Sequence, residues 1–507
     1  MAAPSQIYEK NTRSIRADSG TSSDNYDQAT GDVAEKYRGT KNDKHDMNVL
    51  GKKQELRRNF NFITMLGFIS TCLASWEGLL YLGFALTNGG TGLLFWGFIA
   101  CAIGQALVYL SIAEMASMSP AAGGQYQWVS EFAPPRWQKL LSYLSGWLTE
   151  IGWQFYAASV CFLIGTIVQG LIVLNQPETY VFERWQEGII MVVHVLGLFA
   201  IIGALWATAP IGKASVVLFD FTNSGGWPTT GLSAIVGLLA TAAPLVGYDC
   251  SVHMSEEIKD ASFVLPRAII GAVIINFILV FLVIITVCFT IADISAVSAT
   301  PTGYPFIQLF FNCTNSYAAT NAMTAIILLM LSACAVTEIA AASRQLWSFA
   351  RDAGVPGHSW LSKVTAGWNI PIPAVVVSLT ISALCSLINL GSTVALNAIT
   401  SLGAVAVLIS YFLTISCVVY RRIAGPELPP SRWSLGRWGL VVNCAALVLL
   451  VPLIFFFTWP VVTPVTAETM NWSSVMLCGT LIIAMIYYVF KGRFEYVGPV
   501  KLVKREA

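Results

Sequence analysis

Eleven long apolar segments, separated by short polar loops, constrain the fold of this 507-residue chain more than any other feature. They lie at residues 62–86, 91–114, 140–174, 189–207, 233–255, 267–292, 322–347, 372–390, 396–420, 438–459 and 472–490. About 20 apolar residues in a helix cross the hydrocarbon core of a bilayer. Because lipid offers the backbone no hydrogen-bond partners, such segments cross it as helices. The sequence therefore predicts an all-α polytopic membrane protein with eleven spans.

The composition supports a membrane protein rather than a soluble one. Hydrophobic residues make up 55% of the chain and charged residues only 11%, whereas soluble domains carry roughly 25% charged residues. Residues 1–60 are polar and of mixed charge, so we expect them to form a disordered cytoplasmic tail. The transmembrane domain is expected over residues 61–490, followed by a short cytoplasmic tail at 491–507.

The sequence lacks the patterns of other functional classes. The eleven cysteines are scattered without a C-x-x-C pair, so we interpret them as small buried hydrophobic residues. His253 lies near Glu256 and Glu257, but not in the H-E-x-x-H spacing of a zinc site. There is no phosphate-binding loop, nucleophile motif or basic patch suited to nucleic acid. We expect no metal, no cofactor, no nucleic-acid partner and no enzymatic activity.

The distribution of lysine and arginine predicts the orientation of the chain, because cytoplasmic loops are enriched in these residues. Basic residues precede the first span and recur at 136–139, 259–267, 344–363, 421–437 and the C-terminus. The loops at 87–90, 293–321, 391–395 and 460–471 contain no lysine or arginine. We therefore expect a cytoplasmic N-terminus and a multi-pass protein of the plasma membrane.

This charge pattern fails at one place. From a cytoplasmic N-terminus, three spans leave the chain outside after residue 174, and the basic loop at 256–267 then requires an odd number of crossings. The sequence offers two, at 189–207 and 233–255. We interpret the junction between Trp185 and Glu187 as the position of a missing span, lost through a skipped exon or an erroneous gene model. The alternative is a segment that lies flat or re-enters the membrane.

Two apolar segments carry an acid beside a glycine, a pattern typical of helices that are broken inside the membrane. Gly78 follows Glu77 in the first span, and Gly247 precedes Asp249 in a later one. A charge at the bilayer centre costs about 2.5–3.5 kcal/mol on insertion scales and is commonly functional or paired. Freed backbone groups, helix ends and these acids suit a ligand that carries both charges, such as an amino acid. Close helix packing is the alternative role for the glycines.

Aromatic residues near these breaks are candidates for stacking on an ammonium group. They include Trp76, Trp153 and Tyr248, although most of the 16 tryptophans are expected to lie at the membrane interface or in packing contacts. The candidate substrate-binding residues are Ala74, Ser75, Trp76, Glu77, Gly78, Gly247, Tyr248 and Asp249.

Other polar residues are candidates for a gate. Glu256 and Glu257 are expected to form a cytoplasmic latch with Lys259, Arg267 or another inner-loop base, of which Arg344 is a candidate. Such a latch would hold the cytoplasmic ends of two helices together, because opposite charges attract strongly where water is excluded.

Three further residues within the spans have open roles. His194 is a candidate proton carrier because histidine titrates near neutral pH, and a core histidine is the alternative. Glu338 is an additional buried acid, for which packing or pairing with Arg344 is as plausible as a role in transport. Glu150 is expected to face the helix bundle at a position that the sequence does not define.

Five motifs occur in order between about residue 55 and the C-terminus. They are "ASWEGL", "SIAEMASMSPAAGGQYQWVSEFAPPRWQKLLSYLSGWLTEIGWQ", "FTNSGGWPTTGLS", "GYDCSVHMSEEIKDASFVLPRAI" and "SRQLWSFARDAGVPG". Together they resemble the amino acid/choline transporter branch of the amino acid–polyamine–organocation (APC) permeases, and most of all the fungal GABA and choline permeases. Their order along the chain makes the resemblance specific.

The resemblance implies a LeuT-like fold of two inverted five-helix repeats plus two C-terminal helices, with helices one and six broken at mid-membrane. It places Ser75–Gly78 and Gly247–Asp249 at the two breaks. Members have twelve spans, and after a motif like "VFERWQ" they continue through helix four and a basic loop. Here Gln186 runs directly into Glu187, so helix four is the span that we expect to be missing.

The function expected from this resemblance is secondary active, proton-coupled import of a small amino compound such as GABA, another amino acid, choline or a polyamine. Helices one, two, six and seven would rock against the remaining, lipid-embedded helices. The alternatives are a transport-inactive splice or gene-model variant and a non-transporting nutrient sensor of the same fold. The sequence leaves the substrate, the coupling ion and the oligomeric state open.

Overall fold

The computed structural model describes residues 33–175, 190–387 and 395–503, and every regular element in these ranges is a helix. The helices used below are α1 (Lys41–Val49), α2 (Phe62–Leu73), α3 (Leu82–Thr87), α4 (Phe98–Met118), α5 (Gln125–Phe132), α6 (Gln138–Asn175), α7 (Ile190–Thr208), α8 (Thr230–Ala242), α9 (Cys250–His253), α10 (Ala261–Thr290), α11 (Pro305–Thr314), α12 (Tyr317–Arg351), α13 (Ile372–Leu387), α14 (Ala395–Ala424), α15 (Gly439–Phe456) and α16 (Ser473–Tyr487). Short α-helices lie at Gly90–Gly92, Ala214–Val217, Ile294–Ser298, His358–Leu361 and Arg493–Glu495. Turns of 3₁₀ or π type cover Glu35–Tyr37, Trp76–Tyr81, Leu93–Gly97, Ala243–Leu245, Ser255–Glu257, Gly436–Trp438, Tyr488–Gly492 and Pro499–Lys501.

Within the described ranges, eight helical stretches are long and apolar enough to cross a membrane. They coincide with eight of the eleven predicted segments. The other three segments correspond to α6 and to two shorter apolar helices, Leu196–Thr208 and Ile372–Ser386. The prediction of an all-α polytopic membrane protein is therefore confirmed. The long helix α6 lies at the centre and packs against α12 and α14.

The first membrane helix is broken, as predicted. Its first half, α2, ends at Leu73, and Ala74 then adopts a left-handed backbone with φ of 39°. A 3₁₀ turn over Trp76–Tyr81 leads into α3. A left-handed conformation in a residue other than glycine cannot continue a helix, so the chain changes direction at Ala74. We call residues 62–87 the first broken helix.

A second broken helix, residues 230–253, has a longer interruption. Pro244 lies in a 3₁₀ turn after α8, where its missing N–H costs no helical hydrogen bond. Val246 is extended, and Gly247 has φ of 118°, which favours glycine because a side chain would clash with the backbone there. The helix resumes as α9. The acid-and-glycine pattern therefore located both interruptions correctly.

The N-terminal segment differs from the predicted disordered tail over 1–60, because residues 33–60 fold against the helix bundle. Thr40 and Asp43 form a capping box at the start of α1. The apolar side chains of Met47, Leu50 and Leu56 are buried. These contacts offset the entropy of ordering a polar segment. Residues 1–32 lie outside the described ranges, so the expectation for them remains a prediction.

The directions of α6 and α7 bear on the missing span. α6 begins beside the C-terminal segment, where Lys139 Nζ donates to the carbonyl of Arg493, and it rises for about 57 Å at 1.5 Å per residue. α7 ends at the opposite side, where Trp206 donates to Thr286 near the end of α10. Both helices therefore run in the same direction, although they are consecutive. The predicted missing span at 185–187 falls in the connection, which lies outside the described residues.

Candidate functional site

A cavity of about 40 Å³ lies where the two broken helices meet. The unwound backbone at Ala74 and Gly247 forms part of its wall, together with Gly78. The other side chains that line it are mostly apolar or aromatic, including Cys72, Tyr81, Trp153, Tyr156, Pro244, Cys334 and Glu338. On the same measure a single water needs about 10–15 Å³. The cavity therefore holds a few waters and must widen to admit an amino compound.

Glu338 is the one charged residue among the described residues that line this cavity. It lies on α12, and only 5% of its surface is exposed. Its Oε2 atom has no hydrogen-bond partner within the described structure. The suggested pairing with Arg344 does not occur, because the guanidinium of Arg344 binds Glu257 instead. A buried carboxylate oxygen without a partner is costly, and a cationic ligand in the cavity would satisfy it.

A second cavity of about 30 Å³ lies on the other side of the first break. Ser75, Trp76 and Gly78 line it, with apolar residues of α4, α8 and α10. A Cβ atom on Gly78 would come within 2.7 Å of Pro244 Cγ. This glycine therefore allows the two broken helices to touch and separates the two cavities. Five of the eight predicted substrate-binding residues line one of these two cavities: Ala74, Ser75, Trp76, Gly78 and Gly247.

Asp249, also predicted to bind substrate, lines neither central cavity among the described residues. Among the described residues its carboxylate is fully buried and accepts hydrogen bonds from Gln125 (2.6 Å), Trp153 (3.2 Å) and the hydroxyl of Tyr411. Nε2 of His253 lies 3.3 Å from its Oδ2 atom. These four partners occupy the carboxylate. Because its neighbours already satisfy its charge, Asp249 is not available to an ammonium group in this conformation.

Glu77 and Tyr248, also predicted to bind substrate, do not line either central cavity among the described residues. Tyr248 packs against Tyr109, with ring centroids 4.7 Å apart and the ring planes tilted by 56°. The Tyr109 hydroxyl donates to the carbonyl of Leu245 (2.7 Å) and accepts from the N–H of Gly247 (3.0 Å). Tyr109 thus satisfies backbone groups freed by the break. Tyr109 could not be predicted as a site residue, because nothing in the sequence distinguishes it from the other aromatic residues of a span.

Two ion pairs join the end of the second broken helix to α12. Arg351 binds Glu256 through two contacts of 2.6 and 3.0 Å, and Arg344 binds Glu257 at 2.8 Å. Glu256, Glu257 and Arg344 therefore do meet opposite charges, but the expected partners Lys259 and Arg267 do not take part. Arg267 instead donates to a backbone carbonyl on its own helix, at Phe263.

The N-terminal segment closes over these ion pairs. Arg58 contacts Asp43 at 3.1 Å and donates to the carbonyls of Ser255 and Ile258. Burial would raise the pKa of Glu256, but the adjacent cations, Arg351 foremost, lower it below its ordinary value. The carboxylate therefore stays ionised and paired. Together these contacts seal the end of the bundle that faces the N-terminal segment.

The remaining predicted residues contribute less to the described site. The side chain of His194 lies outside the described part of the structure, so its role as a proton carrier remains a prediction. Glu150 is buried and accepts from Gln154 at 2.8 Å, but it lines neither central cavity. Among the residues that were described, no group of three or more histidine, cysteine or acidic side chains is arranged to hold a metal ion.

A family model for amino acid permeases matches residues 60–209 and 183–483. The chain belongs to this amino acid permease family of the APC superfamily. It is therefore a membrane permease rather than an enzyme, and the resemblance inferred from the motifs is confirmed. The two matches overlap over residues 183–209, which include α7.

Individual permeases support the same assignment. A putative amino acid/polyamine transporter of Macrophomina phaseolina is 32% identical over 81% of this chain and 97% of its own length. The choline transporter of Saccharomyces cerevisiae is 27% identical over 87% of this chain and 83% of its own. The amino-acid permease BAT1 of Arabidopsis thaliana is 28% identical over 89% of this chain and 95% of its own length. This permease is thus a multi-pass membrane transporter of the class that carries amino compounds.

The alignments also contain positions that this permease lacks. The alignment with the Macrophomina protein has 445 positions. This chain contributes 81% of its 507 residues to it, or about 411. About 34 positions of the alignment therefore have no residue in this chain. The alignment with the yeast protein has 470 positions, to which this chain contributes about 441 residues, so about 29 positions have no residue in this chain. A membrane helix and its loop have a similar length. The lengths therefore agree with the loss of one span.

Proposed function

We propose that this permease imports a small amino compound by secondary active transport, and that the cavity between the two broken helices is its solute site. The observation that carries the proposal is the lone acid in that cavity. Glu338 presents an unpartnered carboxylate oxygen to a space whose walls include unwound backbone. Inside a membrane, unwound backbone is tolerated where it lines a cavity or is buried in protein.

The lining of the cavity favours a solute with a cationic nitrogen. Tyr81, Trp153 and Tyr156 surround the space beside Glu338, and aromatic faces attract cations. Choline, amino acids and polyamines, after which the related transporters are named, share such a nitrogen. The substrate class is therefore defined by an ammonium group beside the carboxylate of Glu338, rather than beside Asp249.

Transport would require the closed site to open alternately to each side of the membrane. The ion pairs Glu256–Arg351 and Glu257–Arg344 would act as the cytoplasmic gate, because they tie the second broken helix to α12. We place the N-terminus in the cytoplasm and the permease in the plasma membrane, in contact with lipid. The proposed coupling ion is the proton.

Uptake into proteoliposomes tests this proposal. Purified full-length protein is reconstituted, and uptake of radiolabelled GABA, choline, putrescine and neutral amino acids is measured with and without an inside-alkaline pH gradient. We expect one compound to accumulate above the level in empty liposomes and to do so faster with the gradient. The same panel in equilibrium binding to purified protein identifies a solute even if flux is absent. Failure of every compound to bind would refute the proposal.

A second candidate, a transport-inactive variant, is favoured by the parallel directions of α6 and α7. Sequencing the transcript around Trp185 shows whether the cell makes this form. Inserting the corresponding segment of the Macrophomina relative between Gln186 and Glu187 should then create flux where this chain only binds solute. A glycine–serine insert of equal length is the control, and equal flux with both inserts would contradict the missing-span explanation.

A further inference from the structure

Asp249 and His253 form a buried ionisable pair on the second broken helix. Both side chains are fully buried, and His253 Nε2 lies 3.3 Å from Asp249 Oδ2, an ion-pair distance without the alignment of a hydrogen bond. The other ring nitrogen, Nδ1, lies 3.0 Å from the carbonyl oxygen of Ala122. In the described structure no lysine or arginine forms an ion pair with Asp249.

The hydrogen-bond partners determine how many protons this pair holds. A carbonyl oxygen only accepts, so Nδ1 of His253 carries a proton. Nε2 then faces a carboxylate oxygen either with a lone pair or with a second proton. Two lone pairs at 3.3 Å in a buried site repel, and the pair would carry an uncompensated charge. The observed contact is therefore favourable when one additional proton resides between the two side chains.

The neighbours of Asp249 indicate which atom carries that proton. Gln125, Trp153 and Tyr411 all donate hydrogen bonds to the carboxylate. Three donors favour the ionised carboxylate over its protonated form. The additional proton therefore belongs on Nε2, which makes His253 an imidazolium opposite an aspartate.

The pair also joins the second broken helix to the rest of the bundle. Asp249 and His253 belong to that helix, whereas their partners Ala122, Gln125, Trp153 and Tyr411 come from the loop before α5, from α5, α6 and α14. Trp153 also lines the cavity, as does Gly247, two residues before Asp249. The titratable groups that interact electrostatically with Asp249 are the phenols of Tyr109, Tyr156 and Tyr411 and the thiols of Cys72 and Cys250.

We propose that the Asp249–His253 pair is the proton-binding site of this permease, and that the bound proton holds the second broken helix in the closed conformation around the solute. This inference rests on the proposed transport function and names the residues of its coupling step. One proton enters from the outside and binds Nε2 of His253. When it leaves towards the cytoplasm, the contact with Asp249 becomes repulsive and the helix is released. A ligand shifts a conformational equilibrium by its differential affinity for the two states, and here the ligand is the proton.

Comparing two transport modes tests the proposal. His253→Gln retains a polar side chain but cannot bind a proton. For this variant and the wild type, we measure uptake driven by an inside-alkaline pH gradient, and solute counterflow at equal pH in the same liposomes. The ratio of gradient-driven uptake to counterflow should fall at least tenfold. His45→Gln, on the exposed face of α1, is the matched control and should keep the wild-type ratio. A wild-type ratio in His253→Gln, or a parallel loss of both modes in a folded protein, would overturn the proposal.

A spectroscopic readout separates this inference from the transport proposal itself. The chain contains four histidines, so the signal of His253 in ¹⁵N-histidine-labelled protein can be assigned by its loss in His253→Gln. At pH 7 we expect both ring nitrogens of His253 to be protonated, and Asp249→Asn should convert the ring to the neutral Nδ1–H form. A neutral ring in wild-type protein would refute the proton site. This result does not depend on whether any compound in the uptake panel is carried.

Discussion

Replacing Glu338 by glutamine removes the negative charge from the central cavity and changes little else. The side chains have almost the same shape, so the effect on binding should report the loss of charge. A hydrogen bond to a charged group contributes about 1.5–3 kcal/mol, and each 1.4 kcal/mol is a factor of ten in Kd. We therefore expect Glu338→Gln to weaken the binding of an amino compound by about 10- to 150-fold.

The same substitution should not weaken the empty protein. Oε2 of Glu338 lacks a hydrogen-bond partner in the described structure, so it adds no hydrogen bond to the folded protein when no solute is bound. A buried acid without a partner is costly to ionise, and glutamine breaks no ion pair at this position, so the Tm of the empty variant should equal or exceed that of the wild type. A structural role for Glu338 predicts the opposite result, a lower Tm.

Equilibrium binding of a radiolabelled solute to purified protein measures the change in Kd. Glu150→Gln is a matched control, because Glu150 is also a buried membrane acid with an unpartnered Oε2 atom but lines neither central cavity. We expect its Kd to stay within about twofold of wild type. If Glu338→Gln binds normally while Glu150→Gln loses binding, the assignment of the cation subsite is wrong.

Other predictions concern the proposed cytoplasmic gate. Arg351→Ala leaves Glu256 buried without its partner, and breaking a buried ion pair in this way costs about 3–5 kcal/mol of stability. Hydrogen exchange over residues 255–258 should therefore accelerate. Unchanged exchange would contradict the proposed gate. Burial raises the pKa of Glu256, but its cationic neighbours lower it below the ordinary value, so its stabilisation is present at neutral pH and is lost as the pH falls through that lowered pKa. Exchange over the same residues should therefore increase only when the pH falls below the ordinary pKa of a glutamate. Arg58→Met removes the partner of Asp43. We expect a lower Tm and increased chemical labelling of the face that the N-terminal segment covers, and a Tm equal to that of the wild type would argue against the seal.

The spans and their breaks could be predicted from the sequence because lipid imposes a local rule. A span needs about 20 apolar residues, and a glycine beside an acid in such a span marks a break. Gly247 illustrates this, since its φ of 118° is a property of one residue and its neighbours. The pairing of Glu256 and Glu257 with opposite charges was predicted from the inner-loop bases, but Arg351 could not be identified as a partner.

The role of each acid could not be predicted, because it depends on residues far away in the sequence. Asp249 and Glu338 are both buried membrane acids, but Asp249 is satisfied by Gln125 and Tyr411, which lie 124 and 162 positions away. The fold of residues 33–60 depends on similarly distant contacts, such as that of Arg58 with Ser255, 197 positions away. A polar segment is predicted to be disordered when its distant contacts are unknown.

The missing span and the solute site can be considered separately, because they involve different helices. The described cavity is lined by the two broken helices, α6 and α12, all of which are present. The connection at 176–189 contains 14 residues and could reach about 46–50 Å if extended, which exceeds the hydrocarbon thickness of about 30 Å. An extended backbone in lipid would, however, leave its peptide groups without partners. Solute binding should therefore survive in this chain even if flux does not, and a protein that binds but does not transport would identify the connection after α6, rather than the cavity, as the defect.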